Sequence, residues 1–150
     1  MNWEKLYNPF VIWLLRSPFH GLIDKSTVLI TFTGRRSGKT YTFPVSYVRD
    51  GNTLMIISRR EHSWWKNFRG GILVTLYLQG HNLKARGEVF TDTEIVANKL
   101  LMFLRQFPGY QRLMHMKLDS EGQPENPEAF QRFVQAMVII QMKKLVEVAA

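Results

Sequence analysis

The sequence predicts a mainly β domain with flanking helices (α+β), in which antiparallel strands form a small, partly open barrel. Three observations predict it. Short runs rich in β-branched and aromatic residues follow one another between residues 27 and 90, with turn residues between them. Asp50-Gly51 lies between two of these runs and is a strong hairpin signal. A further apolar run, Val138–Met142, is typical of a late strand that closes such a barrel.

Five strands are predicted before residue 90, and they are expected to pair antiparallel in chain order. They are Thr27–Thr33, Thr40–Arg49, Thr53–Ser58, Leu73–Gln79 and Asn82–Phe90. Between the third and fourth strands, His62–Arg69 contains two adjacent tryptophans and predicts a short helix.

Two helices are predicted between the fifth strand and the last. Thr91 with Glu94 forms a capping-box pattern that starts the first helix, and Pro108-Gly109 ends it. The polar segment Asp119–Asn126 predicts a loop. Pro127 then lies where a first helical residue is expected, which starts a short second helix.

The N-terminal segment, residues 1–22, predicts an amphipathic helix because aromatic and apolar residues recur at helical spacing before Pro18. Its apolar run, Phe10–Leu15, is too short to cross a bilayer, which takes about 20 residues. The segment could instead pack on the core or contact a membrane surface.

Composition indicates one domain over residues 1–150, because 45% of the residues are hydrophobic and can bury a core. The chain has no cysteine, which excludes disulfides and thiolate metal sites and fits a reducing, cytoplasmic location. The net charge of +8 indicates an anionic partner, which could be nucleic acid, a membrane surface or a polyanionic small molecule.

The segment Thr33–Thr40 carries three cations on a glycine-containing turn. It is not a phosphate-binding P-loop, because only three residues separate Gly34 from Gly38 where that motif needs four. A P-loop also opens a helix, whereas a β-rich run containing Pro44 follows here. The segment is therefore predicted as a hairpin tip that either holds an anion or is merely a solvated turn.

No side-chain pattern in the sequence predicts catalysis by the protein alone. The four histidines have no pair at the spacing of metal ligands on a helix, and no serine lies in a hydrolase nucleophile elbow. The sequence thus predicts no metal site. A cationic turn combined with many aromatic residues suits a protein whose bound cofactor carries the chemistry.

Several motifs in order resemble the deazaflavin-dependent nitroreductase family, whose members are split β-barrel proteins of the FMN-binding type that use reduced coenzyme F420. The resemblance covers about residues 8 to 113. Its motifs are Thr33–Lys39, Pro44, Val48–Gly51, Trp64–Arg69 and Phe107–Gln111.

The resemblance implies that the cationic turn holds the phosphate and glutamate tail of F420, with the deazaflavin ring along the strand near Pro44 and Ser58. FMN is the less expected cofactor. The implied cofactor-binding residues are Arg35, Arg36, Ser37, Gly38, Lys39, Thr40, Tyr41, Thr42, Pro44, Ser58, Arg59, Trp64 and Asn67.

The resemblance further implies hydride transfer to a flat, apolar acceptor such as a quinone, an enone or a nitro compound. Tyr110 is the candidate catalytic residue, as a proton donor or orienting group. The chain departs from the family at Tyr41, which replaces a common arginine, and at Phe107 and Leu113, which replace tyrosines near the substrate. The segment after Leu113 also differs, with a polar loop and a helix before the last strand.

Two other classes of function remain open from the residues. A split barrel could bind a flavin-type cofactor, haem or a fatty acid without catalysis, and the missing tyrosines favour that alternative. Only the net charge favours nucleic-acid binding, and a nucleic-acid partner is not expected. The sequence leaves both a monomer and a homodimer open.

Overall fold

The computed structural model describes residues 27–147, which divide into two compact units. The first unit contains residues 27–89 and 139–147, and the second contains residues 90–138. The amphipathic helix predicted for residues 1–22 lies outside the described residues. The assignment of the whole chain to one domain stays a prediction.

The first unit is built on a seven-stranded sheet with the order β2-β1-β5-β6-β7-β4-β3. The strands are β1 Thr27–Thr33, β2 Thr40–Ser46, β3 Val48–Asp50, β4 Thr53–Arg59, β5 Ile72–Leu78, β6 His81–Phe90 and β7 Met137–Glu147. A 3₁₀ helix, Trp64–Phe68, connects β4 to β5. The pairs β1–β2, β1–β5, β3–β4 and β5–β6 are antiparallel.

The sheet curls into a half-barrel because two strands that are neighbours in the chain lie at its opposite ends. Only Tyr47, which is buried, separates β2 from β3. β2 also contacts β4, which is next to β3 at the far end of the strand order. The predicted partly open, mainly antiparallel barrel is therefore confirmed.

The expected pairing of the strands in chain order is wrong. β4 pairs with β7 and not with β5, and β1 pairs with β5. The physical reason is the connection between β4 and β5, which contains the 3₁₀ helix and is too long for a hairpin loop. The single strand predicted at Thr40–Arg49 is also broken, at Tyr47, and the return strand is longer than Val138–Met142.

The 3₁₀ helix is anchored by an aromatic cluster in the core of the first unit. Phe68 is fully buried, and its ring centroid lies 5.3 Å from that of Phe32 and 5.7 Å from that of Trp64. The Trp64 centroid lies 5.2 Å from that of Phe43. All three pairs have the edge-to-face geometry that aromatic rings prefer.

The second unit contains three helices, α1 Thr93–Gln106, α2 Gly109–Leu113 and α3 Pro127–Ala136. The expected first residue of the last helix is confirmed, since Pro127 opens α3 and Asn126 caps it by accepting a hydrogen bond from the amide of Ala129 at 3.1 Å. α1 and α3 pack against each other.

The capping box predicted at Thr91 is wrong, because the cap of α1 is Asp92. Its carboxylate oxygen Oδ1 accepts hydrogen bonds from the amides of Glu94 at 2.9 Å and Ile95 at 3.1 Å. A carboxylate at this position also interacts favourably with the positive end of the helix dipole, which a threonine hydroxyl does not.

His115 closes α2 in a backbone conformation that glycine usually adopts. Its φ is 53°, and the amide of Met116 donates to the carbonyl of Gln111 at 2.9 Å. The amide of His115 itself donates to the carbonyl of Arg112 at 3.3 Å. This pair of hydrogen bonds is the Schellman motif, in which a residue with a Cβ is strained at the left-handed position.

We expect His115→Gly to raise the free energy of unfolding by roughly 1 kcal/mol, because glycine adopts positive φ without the steric cost of a side chain. Urea denaturation followed by circular dichroism measures this change. His115→Ala is the matched control, since it removes the imidazole but keeps the Cβ. An equal gain from both variants would show that the ring and not the backbone is unfavourable.

Candidate functional site

The loop between β1 and β2 is a compact turn that begins with a closely packed glycine. The amide of Gly34 donates to the carbonyl of Lys39 at 2.8 Å, and the amide of Gly38 donates to the carbonyl of Gly34 at 3.0 Å. A Cβ on Gly34 would lie 2.7 Å from the Tyr41 ring and 2.9 Å from Ser37 Oγ. Gly38 has a φ of 68°. We call residues 34–39 the glycine loop.

Side chains order the glycine loop from within. The hydroxyls of Ser37 and Tyr41 are hydrogen-bonded at 2.8 Å, and the amide of Lys39 donates to Ser37 Oγ at 3.2 Å. The loop therefore has a defined shape although most of its residues are exposed.

Asn67 ties the glycine loop to the 3₁₀ helix. Its Oδ1 accepts a hydrogen bond from the amide of Arg35 at 3.0 Å, and its Nδ2 donates to the carbonyl of Trp64 at 2.9 Å. Since Trp64 is buried in the aromatic cluster, the Asn67 side chain links the loop to the core of the first unit.

A cleft of about 460 Å³ lies between the glycine loop and the 3₁₀ helix. This volume is in the range of small-molecule sites. The described residues that line it include four cations and no carboxylate, so the cleft attracts anions. The lining residues are Gly34, Arg35, Arg36, Ser37, Tyr41, Ser63, Lys66, Asn67 and Arg69.

Five of the residues predicted to bind the cofactor line this cleft, namely Arg35, Arg36, Ser37, Tyr41 and Asn67. The others do not line it, and these are Gly38, Lys39, Thr40, Thr42, Pro44, Ser58, Arg59 and Trp64.

Contacts elsewhere explain part of this division. The Thr42 hydroxyl is bonded to that of Thr31 on the neighbouring strand at 2.9 Å. The Ser58 hydroxyl is buried and donates to the carbonyl of Arg59 at 3.3 Å, while the Arg59 guanidinium pairs with Glu61 at 3.1 Å. The polar groups of these side chains therefore make contacts within the fold and not with the cleft.

Three polar residues of the cleft were not predicted from the sequence, namely Ser63, Lys66 and Arg69. In the sequence, the spacing of these residues by three is the signal that indicates a shared side. A 3₁₀ helix has three residues per turn, so residues spaced by three lie on one side of it. The sequence predicts a helix for this segment, but it does not show which of its sides faces the glycine loop.

Tyr110, the predicted catalytic residue, lies in α2 of the second unit. Its ring centroid is 4.9 Å from that of Phe103 and 6.4 Å from that of Phe107, and the side chain is half-buried. The second unit also has a cleft of about 530 Å³, lined by Pro108, Gln111, Arg112, His115 and Lys117.

The described part of the chain contains no cluster of three or more side chains suited to bind a metal ion. Among residues 27–147, no helix is both long enough and apolar enough to pass through a membrane.

A comparison with protein families decides the class of this chain. The family model for F420H(2)-dependent quinone reductase matches residues 18–114. The chain belongs to this family. The match includes the glycine loop, the 3₁₀ helix and Tyr110, so it covers the cationic cleft completely.

The chain is similar to several solved structures. A domain-swapped dimer superposes with a TM-score of 0.51 at 16% identity, over 81% of this chain and 82% of that one. An F420-H2 dependent reductase (FDR-A) gives a TM-score of 0.49 at 17% identity, over 79% and 96% of the two chains. The FAD and heme binding protein from Mycobacterium smegmatis gives 0.47 at 14% identity, over 89% and 67%. A search among curated proteins found no match.

Family membership confirms several expectations from the sequence. The mainly antiparallel half-barrel is the expected fold class, and the cofactor is F420. The protein is an F420H2-dependent reductase of quinone-like acceptors, which also decides for an enzyme over a non-catalytic binding protein. As an F420H2-dependent quinone reductase, it acts on a small-molecule acceptor.

Proposed function

We propose that the cleft between the glycine loop and the 3₁₀ helix holds the anionic tail of F420. The observation that carries this proposal is the convergence of four cations, without a carboxylate among the described lining residues, in a cleft of about 460 Å³. Phosphate and carboxylate groups are the ligands that guanidinium forks bind bidentately. The donor set of the cleft therefore fits a tail made of one phosphate and several glutamate carboxylates.

The glycine loop and the neighbouring Tyr41 supply different parts of this binding. Arg35 and Arg36 provide the charge, while the Ser37 hydroxyl and the Tyr41 hydroxyl provide neutral hydrogen-bonding groups at the same edge of the cleft. Tyr41 replaces the arginine expected from the resemblance, and it contributes by ordering Ser37 instead of by charge.

The loop is ordered before any ligand arrives, which reduces the entropy lost on binding. Asn67 fixes the Arg35 backbone, and Ser37 accepts the amide of Lys39. Pre-organisation of this kind improves affinity because fewer rotamers and backbone states are lost in the complex. Bound F420H2 supplies the hydride. The protein binds and orients the reactants, an effect that can lower a barrier by roughly 7–11 kcal/mol at best.

The remaining predicted contacts stay proposals with separate roles. Gly38 shapes the turn through its positive φ, and Lys39 and Thr40 lie beside it without lining the cleft. Pro44 and Ser58 are proposed to lie near the ring, flanked by Thr42 and Arg59. Trp64 is proposed to act through its carbonyl, which holds Asn67.

Tyr110 is the proposed proton donor or orienting group for the acceptor. We expect Tyr110→Phe to lower kcat by about tenfold or more, because positioned general acids commonly contribute at least that much. The KM for F420 should stay unchanged, since the proposed tail site lies in the other unit. Steady-state kinetics with a benzoquinone acceptor measures both constants.

Tyr110→Phe tests the hydroxyl alone, because it keeps the ring that packs on Phe103 and Phe107. Phe107→Tyr is the complementary variant, since it restores one tyrosine that the resemblance implies. A wild-type kcat in Tyr110→Phe would assign Tyr110 to packing alone.

We further propose a cytoplasmic location, which the absence of cysteine in the sequence supports. Contact of the N-terminal segment, residues 1–22, with a membrane surface remains a prediction, as does the absence of a nucleic-acid partner. Within the class of quinone-like acceptors, we propose a flat and apolar molecule.

A further inference from the structure

The last turn of α1 leaves one backbone carbonyl without its helical donor. In a continuous helix, the carbonyl of Leu104 would accept a hydrogen bond from the amide four positions later in the chain. That position is Pro108, which has no amide hydrogen. Leu104 is fully buried, so an unpaired carbonyl there would cost free energy. This carbonyl therefore needs a donor from elsewhere in the fold.

The side chain of Gln111 supplies this donor and also accepts a second hydrogen bond. Its Nε2 donates to the carbonyl of Leu104 at 3.1 Å, and its Oε1 accepts from the amide of Leu118 at 3.1 Å. An amide side chain satisfies both partners, whereas an ionised carboxylate only accepts and an aliphatic side chain does neither. Gln111 therefore connects α2 to the end of α1 and to Leu118, which precedes the polar loop.

α2 depends on such contacts because it is only five residues long. Helices shorter than about 12 residues are marginal in water without tertiary contacts, and no residue of α2 is buried. The Tyr110 ring packs on Phe103 and Phe107, but ring contacts constrain direction less than hydrogen bonds do. Gln111 thus fixes the backbone directly beside Tyr110 against α1, the helix that contains Phe103.

We infer that Gln111 is a positioning residue for Tyr110, whose hydroxyl it holds in place through the two hydrogen bonds that fix α2. This inference rests on the proposed function of Tyr110 as a proton donor or orienting group. Gln111 acts through Tyr110 and not on the acceptor itself. Because a misplacement of about 1 Å can cost roughly 100-fold in rate, loss of these hydrogen bonds lowers kcat. The loss through this route cannot exceed the loss on removing the hydroxyl.

Gln111→Met tests this role, because methionine has a similar length and no amide. With F420H2 and a benzoquinone acceptor, kcat should fall about tenfold, as in Tyr110→Phe, and the KM for F420 should stay unchanged. In the Tyr110→Phe background, the same substitution should change kcat by less than about twofold, because the hydroxyl that it positions is already absent. Steady-state kinetics of the wild-type protein, both single variants and the double variant completes this cycle.

Two further variants separate positioning from a loss of folding. Gln131→Met makes the same substitution at an exposed position of α3 and should keep the wild-type kcat. Gln111→Asn keeps the amide but is one methylene shorter, so it cannot reach both Leu104 and Leu118, and it should lower kcat only where the Tyr110 hydroxyl is present. Should Gln111→Met lose its circular dichroism spectrum, Gln111→Asn carries the test in both backgrounds.

The outcomes distinguish this inference from the proposed role of Tyr110. A wild-type kcat in Tyr110→Phe would overturn both. A lowered kcat in Tyr110→Phe, together with an equal loss from Gln111→Met in either background, would keep the role of Tyr110 and overturn positioning by Gln111, because a merely structural contribution does not depend on the hydroxyl. A wild-type kcat in Gln111→Met would overturn the positioning role as well.

Discussion

Arg35→Gln/Arg36→Gln is expected to bind F420 about 100-fold more weakly than the wild-type protein. Each guanidinium lines the cleft, and a charge-assisted hydrogen bond contributes roughly 1–1.5 kcal/mol when the pair remains partly exposed to solvent. Losing two of them corresponds to about two orders of magnitude in the dissociation constant. Calorimetric titration with F420 measures the change.

The same loop offers a matched control in Lys39→Gln. Lys39 lies on the glycine loop but does not line the cleft, so this variant should weaken binding by less than about threefold. Both Lys39→Gln and Arg35→Gln/Arg36→Gln should unfold at the same denaturant concentration as the wild-type protein, because the exposed loop contributes little to the core. A loss in Lys39→Gln as large as that in the arginine variant would mean that the loop acts only through its net charge.

Phe68→Ala is expected to lower the free energy of unfolding by about 3–5 kcal/mol, the usual range for removing a buried phenylalanine. Phe68 is fully buried and ends the 3₁₀ helix that carries Lys66 and Asn67. The alanine leaves a cavity beside the rings of Phe32 and Trp64. Guanidinium denaturation followed by tryptophan fluorescence measures the loss.

Two further variants give a scale for this loss in the free energy of unfolding. Phe68→Leu keeps most of the buried volume and should lose clearly less stability than alanine. Leu73→Ala truncates a side chain that is 76% exposed and should change stability by less than about 0.5 kcal/mol. A loss below about 1 kcal/mol in Phe68→Ala would contradict the anchoring of the 3₁₀ helix by the aromatic cluster.

The glycine loop was predictable because its signals are local. Glycines bracket two arginines between β-rich runs, and the turn, the cations and the flanking strands all follow from neighbouring residues. The spacing that rejects a P-loop is equally local. The resemblance to the family added the binding role of Arg35, Arg36, Ser37 and Tyr41, and all four line the cleft.

The part of the cleft formed by Ser63, Lys66 and Arg69 was not predictable because the sequence does not say which side of the short helix faces the glycine loop. Packing decides this, since Trp64 lies in the core against Phe43 and Phe68. The sequence resemblance named both Trp64 and Asn67 for the site. In the structure Asn67 lines the cleft, and the carbonyl of Trp64 accepts a hydrogen bond from it.

The strand order was not predictable from local patterns either. Each strand has the expected β character, but the insertion of β7 between β6 and β4 depends on contacts between distant parts of the chain. The cap of α1 is a second feature that local patterns do not decide. Thr91 and Asp92 both have side chains that can cap a helix, and the backbone direction selects Asp92.

Hydrogen–deuterium exchange of the wild-type protein with and without saturating F420 tests the central claim most directly, because it locates the bound cofactor without any substitution. If the cleft holds the tail, F420 should slow exchange at amides of residues 34–41 and 63–69. A second cationic cleft among the described residues, around Arg112 and Lys117, is the internal comparison. F420-dependent protection there, with unchanged exchange in the glycine loop and the 3₁₀ helix, would contradict the assignment.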